Sequence, residues 1–216
     1  MFKNRTQAAE QLVKKLQDYK KKENVIVVTI PRGGMPMGYT IATQLHLPLD
    51  IVLSKKIGHP YNKEFAIGAV TLKDVIIRDK SFDVSEEYIH HEAENIRVLL
   101  KQRQDWYYGT SKPLNLKDKT VIIVDDGVAT GNTLISCIKL INKQKPTEII
   151  VALPVGPPSV LKTISAMPSV TKTISLLTPN DFRAVGQYYK DFSPVNDIEA
   201  IDLLKKANDK FKQIIK

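Results

Sequence analysis

The chain has 216 residues and a mass of 24.3 kDa, with 43% hydrophobic and 25% charged residues. These ordinary globular values exclude a disordered, collagenous or coiled-coil chain and suit one α/β domain with a substantial core. Thirty-two Lys and Arg against 23 Asp and Glu give a net charge of +9, which fits an anionic partner: nucleic acid, lipid or a phosphorylated small molecule.

The start, from Met1 to Thr6, leads into a polar stretch without a secretory apolar region, and no apolar run approaches the ~18 residues of a membrane span. Cys137 is the only cysteine, so neither an internal disulfide nor a cysteine-rich zinc site can form. The expectation is a cytoplasmic chain with no membrane partner. Leu12, Val13, Leu16 and Tyr19 at helical spacing predict an amphipathic helix over 5–23. Residues 25–30 are a continuous apolar run rich in β-branched residues, stopped by Pro31-Arg32-Gly33-Gly34, and predict a buried strand ending in a tight turn. A helix to about Leu45 and a strand over 49–53 follow. Over 55–64 the periodicity breaks among turn formers, predicting an exposed, mobile loop.

Residues 66–71 and 75–78 predict a small hairpin, and Asp83 with Glu86 gives a capping-box pattern opening a polar helix to about Trp106. Strands over 120–124, 148–153 and 171–176 then alternate with helices over 133–145 and after Pro157-Pro158. This alternation predicts a doubly wound, mostly parallel sheet flanked by helices, with a hairpin insertion and a small hood. We expect a single domain with a core over about 24–177 and a hood from the N-terminal helix and about 178–216. Ligands bind such sheets at the carboxyl ends of the strands, so residues 31–34, Lys55, Lys56 and 125–133 are expected on one edge.

Within 121–133, an apolar strand runs into Asp125-Asp126-Gly127-Val128-Ala129-Thr130-Gly131-Asn132-Thr133. Two adjacent carboxylates at a strand end suit the vicinal hydroxyls of a sugar. The small and hydroxyl-bearing residues beyond them open a helix, where backbone N–H groups and the helix dipole favour a phosphate. Either half alone reads as an ordinary turn or helix cap. Together, directly after a buried strand, they suit a sugar phosphate. Arg32 can fork onto phosphate oxygens, and Gly33 and Gly34 allow close backbone approach.

The 121–133 segment resembles the phosphoribosyl-diphosphate signature of the type I phosphoribosyltransferases. The resemblance extends to Ile30-Pro31-Arg32-Gly33-Gly34, to the basic pair Lys55 and Lys56, to Ala66-Ile67-Gly68-Ala69-Val70, and to Phe182-Arg183-Ala184-Val185-Gly186 with Tyr189, Asp191 and Phe192. It implies that Asp125 and Asp126 hold the ribose hydroxyls, and that Ala129, Thr130, Gly131, Asn132 and Thr133 hold the 5-phosphate. Arg32, Gly33, Gly34, Lys55 and Lys56 would then bind pyrophosphate, with Arg32, Lys56, Asp125 and Asp126 serving the chemistry.

The implied cofactor is Mg²⁺, held mainly through phosphoribosyl diphosphate and water. The implied partners are that co-substrate and a nitrogen acceptor, a nucleobase or related heterocycle; a homodimer is also expected, and a nucleic-acid partner is not. Ala129 stands where the 6-oxopurine enzymes carry an acid, which disfavours that acceptor class. Tyr188, Tyr189 and Phe192 suit either stacking on a base or packing the hood. A regulatory module that binds phosphoribosyl diphosphate or a nucleotide without chemistry is the alternative, and a hydrolase using the same site is a third reading. No Walker loop, nucleophile elbow or dinucleotide fingerprint occurs, and His90-His91-Glu92 lacks metalloprotease spacing.

Overall fold

The computed structural model describes residues 1–77 and 83–214, with Glu64 described by its backbone alone. Asn4 caps the first helix, α1 (Arg5–Lys15), its side-chain oxygen accepting the Gln7 N–H at 3.0 Å. The helix ends well before residue 23. A short 3₁₀ turn over Gln17–Tyr19 and a left-handed Lys21 (φ 59°) redirect the chain into β1 (Val25–Thr29). Then follow α2 (Met35–Leu45), β2 (Leu49–Ile51), β3 (Lys55–His59), β4 (Asn62–Val70), β5 (Val75–Ile77) and α3 (Glu86–Tyr108). The second half comprises β6 (Thr120–Val124), α4 (Asn132–Asn142), β7 (Glu148–Val155), α5 (Pro158–Ser165), β8 (Lys172–Leu177) and α6 (Asp197–Ile214).

Five strands form a parallel sheet in the order β2-β1-β6-β7-β8. Both faces are covered, which is why β1 and β6 are buried at every position rather than alternating. Val25, Val27, Ile122, Val124, Ile150 and Ala152 join the core with α1, α2 and α6. Ile26, Val28, Val121, Ile123, Ile149 and Val151 face Leu134, Cys137, Ile138 and Ile141 of α4 and Leu161 and Ile164 of α5. Each fully buried aliphatic side chain contributes about 1.5–3 kcal/mol. Cys137 is fully buried, and that burial pushes its thiol up to about 12, so it behaves as a core residue. Among the described residues, no helix is long and apolar enough to cross a membrane.

Residues 55–64 are not the loop that the turn formers predicted. They build β3, the turn at Pro60-Tyr61 and the start of β4, an antiparallel pair with Lys55 opposite Val70 and Ile57 opposite Gly68. Ile57, Ile67 and Val70 are buried against Ala93, Ile96 and Leu100 of α3, a partnership that no local window contains. The pairing slips at Gly58, where a Cβ would lie 2.4 Å from the Lys63 carbonyl oxygen. The predicted 66–71 strand is the second half of β4, and the 75–78 strand is β5; Arg78 lies outside the described residues. Ser85, not Asp83, caps α3 by accepting the Tyr88 N–H at 3.2 Å.

Helix α6 was unforeseen as an element. It buries Ala200, Leu204 and Ala207, and its Asn208 amide closes the open edge of β2 by accepting from Leu49 N–H (3.1 Å) and donating to Leu49 C=O (2.8 Å).

Asp50 of β2 is a buried carboxylate that accepts from the Tyr108 hydroxyl, the Leu114 N–H (2.8 Å) and its neighbour's Ile51 N–H (2.9 Å). Burial pushes its carboxyl up to about 6, against the pull of these donors. A raised acid favours the protonated fold, so its stabilising contribution is full below the unfolded value near 4 and is lost as pH rises through about 6. Tyr108→Phe removes a donor to this group. We expect it to cost about 1.5–3 kcal/mol at pH 8, where the carboxylate is charged, and about 1 kcal/mol at pH 5. Urea denaturation at the two pH values checks this.

Candidate active site

β1 and β6 are neighbours, with Thr29 opposite Val124, so their carboxyl ends lie side by side. From here β1 leads outward to β2, and β6 leads the other way to β7 and β8. This reversal opens a crevice at the strand ends, where a ligand meets the backbone of two loops at once.

The two loops touch. At Gly33 an added Cβ would lie 2.5 Å from Asp126 Oδ2, and at Gly34 it would lie 2.4 Å from Thr29 Oγ1 and 3.0 Å from Asp125 Oδ1. Only glycine permits that approach, since real Cβ contacts do not fall below about 3 Å. The Pro31–Arg32 peptide bond is cis. The Asp126 N–H donates to Asp125 Oδ1 at 2.9 Å, which fixes the first acid against the second residue's backbone. Further on, Gly131 (φ 77°) caps α4, and no side chain of this cap bonds to the N–H groups of its first turn. Ala129, Thr130 and Thr133 are exposed at this helix start, while Asn132 is half-buried. The geometry leaves oriented N–H donors beside the acid pair, as a phosphate requires.

Residues 31–34 and 125–133 are therefore gathered on one edge, as expected. Lys55 and Lys56 differ in the strand that carries them. They begin β3 in the small sheet instead of ending a strand of the main one, and both are exposed. Arg32 turns its guanidinium to Asp197 at the start of α6, at 3.3 Å, and Asp197 also accepts from the Tyr107 hydroxyl at 3.1 Å. A cavity of about 750 Å³ between β4, β5 and α3, lined by Ile67, Val75, Ile77 and Ile89, includes no residue of the two loops.

Sequence reasoning missed Arg5. It is 9% exposed, and its Nε and Nη2 both reach Asp126 Oδ2, at 2.9 and 2.8 Å. Its Nη1 donates to Ser193 C=O at 2.9 Å, and its guanidinium lies 3.9 Å from the centre of the Phe192 ring. The available signal was its phase: Arg5 precedes Ala8, Ala9, Leu12 and Val13 on the buried stripe of α1. The hood aromatics pack inward. Tyr189 is buried between Phe2 and Phe192, with ring centroids at 5.4 and 5.0 Å, and its hydroxyl donates to Asp126 C=O at 2.6 Å. Phe2 pairs with this segment, its N–H donating to Tyr188 C=O at 2.7 Å and its C=O accepting from Lys190 N–H at 2.8 Å.

Burial drives both acids of the pair above the usual carboxylate range. The charge of Asp126 raises Asp125 further, whereas Arg5 pulls Asp126 back down. Burial, with the nearby Asp126 charge, also holds the Tyr189 phenol protonated.

Known proteins are similar to this chain. The chain is 31% identical to TT1426 from Thermus thermophilus, whose crystal structure superposes with a TM-score of 0.83 over 95% of this chain and 98% of that one. It is 28% identical, over 99% of its length, to a protein of Mycobacterium tuberculosis named "Putative phosphoribosyl transferase" in both strain CDC 1551 and strain H37Rv. The chain spans about half the length (48%) of these curated relatives. The profile of the phosphoribosyl transferase domain matches residues 2–192, from the isolated bridge at Phe2 through both loops to Phe192. By that match the chain belongs to the phosphoribosyl transferase domain family.

Proposed function

We propose that the chain transfers the 5-phosphoribosyl group of phosphoribosyl diphosphate to a nitrogen acceptor, a nucleobase or related heterocycle, and releases pyrophosphate. One observation carries this reading: the Gly33-Gly34 loop closes directly on Asp125 and Asp126 at the point where the strand order reverses. A diphosphate on that loop and a ribose on those acids would then share one carbon, the reacting one.

In this reading Asp125 and Asp126 hold the ribose hydroxyls, and the N–H groups around Gly131, Asn132 and Thr133 hold the 5-phosphate with Thr130 and Ala129. Arg32 leaves Asp197 to meet the pyrophosphate, and Lys55 and Lys56 approach from the small sheet. As the bond to pyrophosphate breaks, positive charge grows on the ribose ring and negative charge on the leaving group. The acids stabilise the first, and Arg32 with Lys56 stabilises the second. Fixed charges, with no covalent intermediate, lower the barrier.

The acid pair offers hard oxygen donors suited to Mg²⁺, but among the described residues no group of three or more His, Cys, Asp or Glu is arranged to hold a metal. The ion would be held mainly by diphosphate oxygens and water, and would supply charge neutralisation at the leaving group.

The test is pyrophosphate release from phosphoribosyl diphosphate with Mg²⁺, against a nucleobase panel and a deproteinised metabolite extract. Release is expected only with an acceptor. Release without one would identify a hydrolase, and binding without release would identify a regulatory module.

A further inference from the structure

We propose that Arg5 is a positioning residue of the acid pair, contributed by the N-terminal helix, which aims the Asp126 carboxylate and clamps the hood to it. The inference rests on the sugar-phosphate reading above for its effect on substrate, but not for its electrostatics.

The geometry is specific to a guanidinium. Two of its nitrogens converge on Asp126 Oδ2, the third reaches Ser193 C=O, and its flat face covers the Phe192 ring. With Oδ2 occupied, Oδ1 is the oxygen presented to a ribose hydroxyl. The same cation joins α1, the end of β6 and the hood after Tyr189, so Asp126 cannot rotate without giving up both hydrogen bonds from a guanidinium that the hood holds in place. A lysine could supply the charge but not the fork.

The charge matters as much as the shape. Among the described residues, the titratable groups coupled to Asp126 and its neighbour are Asp125 on the same loop, Tyr189 from the hood and the buried Cys137 thiol of α4, while Asp191 faces Arg5. Asp125 and Asp191 are acids, and burial holds Tyr189 and Cys137 in their neutral forms, so among the described residues Arg5 is the cation coupled to two adjacent, half-buried carboxylates. Without it, the Asp126 carboxyl would rise and would carry a proton where a ribose hydroxyl needs an acceptor.

Arg5→Gln and Arg5→Lys test this with two independent readouts. The first is the titration of the Asp126 carboxyl, followed by ¹³C NMR on Asp-labelled protein and assigned with Asp126→Asn. The second is calorimetric binding of phosphoribosyl diphosphate with Mg²⁺ at pH 6 and pH 8. We expect the Asp126 midpoint to move up by a pH unit or more in Arg5→Gln. Arg5→Lys, which keeps the charge, should restore most of that shift. Affinity at pH 6 should fall at least tenfold in Arg5→Gln and threefold to tenfold in Arg5→Lys, with a smaller loss for Arg5→Gln at pH 8.

An Asp126 titration unmoved in folded Arg5→Gln overturns the proposal, and so does an affinity unmoved in both variants. If Arg5→Gln does not fold, Arg5→Lys decides: unchanged affinity overturns the proposal and the partial loss upholds it. If the unmodified chain binds no phosphoribosyl diphosphate, the functional reading fails, while the carboxyl titration still decides whether Arg5 governs Asp126.

Discussion

Asp125→Asn combined with Asp126→Asn is expected to weaken phosphoribosyl diphosphate binding by about 10²–10⁴-fold while the chain stays folded. The magnitude follows from the chemistry of the lost contacts. A hydrogen bond from a hydroxyl to a charged acceptor is worth about 1.5–3 kcal/mol, and two such groups are neutralised here. Folding is spared because burial already holds both acids above their ordinary range, so the fold favours their uncharged forms. The sign is fixed by that direction: the stability contributed by a raised acid is present below its unfolded value and lost as pH rises through its folded value. The double variant should therefore lose less stability than the unmodified chain between pH 5 and pH 8. The amide oxygen introduced by Asp126→Asn would still accept from Arg5, which keeps that buried guanidinium partnered. Calorimetric titration with a thermal melt checks both halves. Retained affinity in a folded variant would remove the acids from the site.

Gly34→Ala is the second large effect, and it is expected to strike stability and site together. Its Cβ would meet Thr29 Oγ1 at 2.4 Å and Ile30 C=O at 2.9 Å. Neither can retreat easily, because Thr29 is fully buried and its hydroxyl donates to Val124 C=O at 3.0 Å across the two central strands. Overpacking of this kind costs about 1–3 kcal/mol, which for a chain of this length lowers Tm by about 2–12 °C. Asp125 Oδ1, at 3.0 Å, would be displaced as well, so ligand binding should fall with it. Gly33→Ala gives a contrast. Its Cβ meets the Asp126 carboxylate at 2.5 Å, the end of a side chain, so the expected loss lies in binding more than in Tm. Melting curves and titrations of both variants check the split, and an unchanged Tm in Gly34→Ala would contradict the packing described for this loop.

In the proposed transfer the acceptor is the remaining chemical choice, and the segment after β8 is the candidate to select it. Tyr189 and Phe192, candidates for stacking on a base, are used to pack Phe2 and Arg5 against the acid pair. Arg183 and the Phe182–Tyr188 ring pair, stacked at 5.6 Å, lie on the more exposed part of the same segment. Acceptor selection by this segment would therefore fall to its outer residues, not to the buried aromatics.

Much of the molecule was legible in the order of its residues. Apolar, β-branched-rich runs within 25–30, 120–124 and 148–153 require cover on both faces, and helical spacing between them forces parallel crossovers, so the five-stranded sheet follows from local pattern. Asp125 and Asp126 were legible for a related reason, since charged residues directly after a buried strand must emerge at its carboxyl end. What the tertiary structure alone decided were contacts between distant segments. Residues 55–64 became strands because Ile57 and Ile67 found Ile96 and Leu100 of α3, overriding turn-forming chemistry. Lys55 and Lys56 moved to the small sheet with them. Arg5 reads in sequence as the polar start of a surface helix, and it became a buried ion pair only when α1 met a carboxylate 121 positions away. Periodicity reports which face of an element is buried; the partner it is buried against is set by the packing of the whole chain, and that choice placed the cation beside the acids.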